Sequence, residues 1–99
     1  MNTLAPPSND AIDAVERGRA FDHHVMQAQL FLVKEASDRP LSELAMMLGA
    51  DVGSAQAAIL NSDPKAALAF LIRAAAMARF IVADRPEFLN ELSALEDEG

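Results

Sequence analysis

The sequence predicts an all-α protein, a small bundle of four to five helices, and three observations carry that prediction. The first is composition. Ala, Leu and Met dominate the apolar residues, Tyr and Trp are absent and only five Phe occur, a set that loses little rotamer freedom in a helix. The second is periodicity: Phe21, Val25, Ala28, Leu32 and Ala36 recur at i, i+4, i+7, i+11 and i+15, which places them on one helical face. The third is punctuation, since Pro40, Pro64 and Pro86 each stand close behind an Asp and cut the chain into helix-length pieces.

Taken in order, residues 1–9 read as a loose N-terminal arm. Pro6-Pro7 favours extended backbone, and Ser8, Asn9 and Asp10 are candidate helix caps. The first helical pattern runs over residues 11–36. Met26, Leu30 and Val33 form a second apolar stripe beside or opposite the main one. Gly18 weakens the first turns, so residues 11–18 read as a separate helix or a frayed extension. Ser37-Asp38-Arg39-Pro40 breaks the helix, because proline lacks the N–H donor and disfavours helix at the residue before it.

Residues 41–48 then form a short helix ended by Gly49 in the left-handed C′ position. Asp51 or Ser54 caps a second short helix through Leu60, which Asn61 closes. Asp63 as N-cap with Pro64 at the first helical position starts the longest helix, over about residues 64–83. Asp84-Arg85-Pro86 repeats the punctuation, and an amphipathic helix over residues 86–95 completes a helical domain of residues 10–95. Residues 96–99 read as a solvated acidic tail. The two Asp-Arg-Pro breaks lie 46 residues apart, a period found in paired-helix repeats, although reuse of helix-start chemistry explains the likeness more simply.

Charge bounds the partners. The net charge is −7 with Lys and Arg nowhere clustered, so phosphate backbones and anionic lipid headgroups are disfavoured. With no cysteine, a disulfide framework, a thiolate nucleophile and a thiolate zinc site are excluded. The first residues have neither the basic start nor the apolar run of a secretion signal, and the expected location is the cytoplasm.

The central helix is the most informative segment. Sixteen of the 18 residues over 66–83 are apolar, interrupted by Arg73 and Arg79. Each guanidinium at a bilayer centre would cost about 2.5–3.5 kcal/mol on the most lenient scale, and alanine offsets little of that, so a membrane span is disfavoured. At about 100° per residue, Phe70, Met77, Phe80 and Ile81 share one side, and Leu68, Leu71, Ile72 and Val82 share the other. A helix apolar all round belongs inside something. Packing at the centre of its own bundle is the simpler reading. Yet a chain this short has little surface with which to cover both sides. Arg73 and Arg79 mark edges where an apolar face meets solvent or a carboxylate. The candidate partner-binding residues are therefore Leu68, Phe70, Ile72, Arg73, Met77, Arg79 and Phe80, with one side closed by self-association or by another protein.

Two other patterns are weighed against this one. Residues 41–50, with Ala45 in mid-helix and Gly49 in the turn, resemble the first half of a helix-turn-helix. The resemblance covers about 20 residues and implies a second helix reading the DNA major groove. That helix, residues 54–60, offers only Gln56 to a base edge and no cation to a phosphate, so sequence-specific DNA binding is not expected. Asp22-His23-His24 suggests a metal or ligand site built on His23 with Gln27. However, adjacent helical residues point about 100° apart, and no further His or Cys completes the set. No nucleophile elbow or phosphate loop occurs, and the carboxylates serve as caps and solvated faces. The reading is a non-enzymatic protein-interaction module (adaptor, regulator or accessory subunit) that acts through an apolar helix face and takes no cofactor or metal. The alternatives are a helix-turn-helix regulator and, third, a small metal- or ligand-binding bundle.

Overall fold

In the computed structural model, which describes residues 9–98, the chain forms four helices and no strand among those residues. They are α1 (Asn9–Ala36), α2 (Leu41–Leu60), α3 (Pro64–Asp84) and α4 (Pro86–Glu98). The expected arm falls almost wholly outside the described residues; its last residue, Asn9, begins α1. Helix α4 continues through Glu96, Asp97 and Glu98 of the expected acidic tail, and Gly99 lies outside the described residues.

Helix α3 is the hub. It forms an antiparallel hairpin with α2, and α1 and then α4 pack on it to lesser extents. The core is a cluster of Ala36, Leu44, Met77, Phe80 and Ile81, bordered by Leu32, Leu41, Met47 and Leu48. The expected stripe of α1 faces inward: Val25 and Ala36 are buried and Phe21, Ala28 and Leu32 half-buried. Its second stripe, Met26, Leu30 and Val33, faces solvent. Helix α1 is unbroken through Gly18, but every residue over 9–20 is exposed. That overhang gives the molecule principal extents of 53 × 41 × 22 Å and a radius of gyration of 16.8 Å, against about 13 Å for a close-packed chain of this length.

The helix-turn-helix-like pair expected over residues 41–60 is corrected to one continuous helix, α2. Gly49 and Gly53 keep negative φ and stay helical. Glycine in a helix interior costs only about 0.5–1 kcal/mol relative to alanine. Burial of Leu44, Asp51, Ala55 and Ala58 along one face against α3 outweighs that cost. Asp51 is therefore a buried mid-helix residue and not a cap.

Turn chemistry explains the other boundaries. Helix α2 ends with Asn61 as C-cap and Ser62 in the left-handed region at φ 57°. The Asp63 N–H donates to the Ala58 carbonyl at 2.9 Å and the Ser62 N–H to the Ile59 carbonyl at 3.1 Å, the paired bonds of a Schellman end. Asp63 then caps α3, its Oδ1 accepting from the Ala66 N–H at 3.1 Å, with Pro64 opening the helix. The Asp-Arg-Pro breaks work differently. Pro40 is the N-cap residue of α2, with no side-chain cap, and Asp84 stays helical at the end of α3. The two breaks touch: Arg85 Nη2 donates to the Arg39 carbonyl at 2.6 Å, while Arg85 Nε lies 2.9 Å from Asp84 Oδ2. The second half of the molecule is thereby tied to the α1–α2 connection.

Candidate interaction face

The seven residues singled out on α3 divide by their position around the helix. Met77 and Phe80 point into the core, where α1 and α2 close over them. Phe70 and Ile72 are half-buried at the flanks, and Leu68 is exposed, with Leu71 beside it. The helix thus has one sealed side and one open side.

Both arginines are engaged within the chain. Arg73 Nη2 lies 3.3 Å from Asp51 Oδ1 on α2, and its guanidinium stacks over the Phe70 ring at 5.7 Å. Arg79 Nη2 donates to Asp22 Oδ1 on α1 at 3.2 Å. These bridges fix α2 and α1 against α3 and leave neither arginine with an uncommitted charge. Asp51 itself is only 7% exposed. It lines a cavity of about 280 Å³ with Ala28, Phe31, Met47, Ala76 and Met77, so Arg73 is what makes its burial tolerable.

The open side continues across the hairpin onto α2. Near the turn the two helices meet through buried alanines, Ala55 and Ala58 against Ala67. Small side chains fill the buried side there and leave the larger neighbours on the outer surface. Val52, Ile59 and Leu60 of α2 and Leu68 and Leu71 of α3 are all exposed there, over two adjoining hollows of about 280 and 310 Å³ that share Ile59 and Leu71. Asp63 is the one ionisable residue lining either hollow, and its carboxylate is already the cap of α3.

A second apolar groove, of about 460 Å³, runs between α1, α3 and α4 over Ala78, Val82, Leu89 and Leu92, with Gln29 and Arg79 at its wall. Its surroundings differ, because α4 carries Glu87, Glu91, Glu96 and Asp97 and no Lys or Arg. The histidine pair lies on the exposed surface of α1. Gln27 Nε2 and His23 Nε2 are 3.2 Å apart, and the His23 and His24 rings meet edge to face. Among the described residues no three of His, Cys, Asp and Glu come together in a metal-holding group.

Sequence reasoning missed Asp51 and the α2 half of the open face. The signal was present: Leu44, Leu48, Asp51, Ala55 and Ala58 follow i, i+4, i+7, i+11 and i+14, a stripe that becomes visible once Gly49 is read as helical. No protein-family model, curated protein or solved structure matches the chain.

Proposed function

We propose that this chain is a cytoplasmic, non-enzymatic protein-interaction module whose working part is the open face of the α2–α3 hairpin. The observation that carries the reading is the continuous patch of Val52, Ile59, Leu60, Leu68 and Leu71, uncovered beside a sealed core. Contiguous apolar patches of this kind on soluble domains mark contact surfaces. The charged groups nearest to it are committed to structure, Asp63 to the helix cap and Arg73 to Asp51. They are therefore not poised for acid–base work. Helix α3 is also long and apolar enough to cross a membrane by length and composition. Its interhelical bridges through Arg73 and Arg79 and its place as hub favour the water-soluble reading.

The test is crosslinking in the native host followed by mass spectrometry of the adducts. Leu68→Glu should abolish the adducts formed by the wild-type chain, whether with itself or with another protein, while leaving the helical circular-dichroism signal intact. Leu92→Glu, in the other groove, should leave the adducts in place. Adducts that survive Leu68→Glu unchanged would refute the assignment of the face.

A further inference from the structure

Resting on that reading, we infer that the occupant of the α2–α3 face is a second copy of this chain, two hairpins packing about a two-fold axis into a four-helix core. Three observations argue for it.

The first is the amount of surface left open. The accessible surface is 7466 Å² for a chain of 10.6 kDa, whereas folded monomers of that mass expose about 5,500 Å². Allowing about 1,300 Å² for the nine residues outside 9–98 leaves roughly 700 Å² in excess. A stable dimer of ordinary size buries about 800 Å² on each partner. That excess is shared with the exposed overhang of residues 9–20, so the α2–α3 face supplies part of the area a dimer needs.

The second is charge. Contact between identical chains brings each charge near its own image, and at −7 overall most surfaces of this protein would repel. The α2–α3 face escapes that penalty, because Asp63 is the sole ionisable residue lining it and sits at its end, one residue from Pro64 and two from Lys65. The groove beside α4 also has a single ionisable lining residue, Arg79, already paired with Asp22, but it is flanked by the acidic side chains of α4.

The third is shape. A hairpin of two antiparallel helices with an apolar outer face is half of a four-helix bundle, and a second hairpin supplies the missing half. Leu68 and Leu71 would then interdigitate with Ile59 and Val52 of the other copy, giving the self-complementary contact that a two-fold axis requires.

Sedimentation velocity on the purified full chain over a concentration series tests the inference. The expected result is a concentration-dependent shift from 10.6 kDa to twice that mass at micromolar protein. Leu68→Glu and, on the other helix, Ile59→Gln should each raise the dissociation midpoint by roughly tenfold or more with unchanged circular dichroism. Leu92→Glu should not move it. A wild-type monomer at every concentration would overturn the second-copy inference, while Leu68-dependent adducts with a different protein would leave the interaction reading standing. A dimer indifferent to both Leu68→Glu and Ile59→Gln would overturn both, since the contact would lie elsewhere. Leu68-dependent flotation with neutral phosphatidylcholine vesicles in place of dimerisation would overturn them in favour of a lipid surface.

Discussion

The two sides of α3 are made of the same kinds of residue and have opposite fates. Met77, Phe80 and Ile81 meet Ala36 and Leu44 and are sealed, whereas Leu68 and Leu71, a few turns along and around the helix, stay 51% and 41% exposed. Local hydrophobicity does not separate them. The difference is which length of α3 has other helices to cover it. Helix α1 crosses its C-terminal half and brings Asp22 to Arg79, while around the α2–α3 turn only alanine-rich α2 lies alongside. Burial is thus decided by the number of helices available around the hub, and on α3 the shortfall falls on the side shared with α2 near the turn.

The largest effect that would sharpen this contrast is truncation on either side. Phe80→Ala should cost about 3–5 kcal/mol through lost transfer energy and the cavity left behind, enough to unfold much of a small domain. Leu68→Ala, in protein dilute enough to be monomeric, should stay within about 0.5 kcal/mol. Chemical denaturation of both variants measures the difference, and equal losses would mean that Leu68 is core after all.

The Arg73–Asp51 bridge separates the sides next. Removing Arg73 as Arg73→Met strands a carboxylate that is nearly buried and should cost about 1–3 kcal/mol. Asp51→Asn leaves an arginine that is 64% exposed and free to rehydrate, so it should cost less. A reversed order in urea denaturation would show that Asp51 has another partner or a wetter site.

Much of this was legible in the sequence, for physical reasons that can be named. Helix existence, the inward stripe from Phe21 to Ala36, the Asp63-Pro64 restart and the apolar hub all follow from periodicity and cap chemistry, which are local. The misreading at Gly49 is also local in origin. Glycine is permissive, so it marks a helix end only where the chain needs positive φ, and here it does not. That one stop hid the stripe on which Asp51 lies, and with it the α2 half of the open face. The pairing of Arg79 with Asp22 spans 57 residues and has no local signature at all.

Two smaller effects test those boundaries. Asp63→Ala removes the N-cap of α3 and should lower stability by about 0.5–2 kcal/mol; an unchanged denaturation midpoint would place the restart elsewhere. A Cβ at Gly49 meets no atom within 4 Å, so Gly49→Ala should raise stability by about 0.5–1 kcal/mol. Were Gly49 the left-handed end of a short helix, the same change would destabilise. The sign alone decides between one helix and two.

The most direct measurement for the central claim, that the open α2–α3 face is a contact surface between copies, is the dependence of thermal stability on protein concentration. A face closed by a second copy couples folding to association, so the wild-type midpoint should rise steadily as concentration increases across the micromolar range. In Leu68→Glu that rise should vanish, leaving a midpoint close to the dilute wild-type value. A wild-type midpoint that stays fixed at every concentration, with full helical content, would show a self-sufficient monomer and contradict the account.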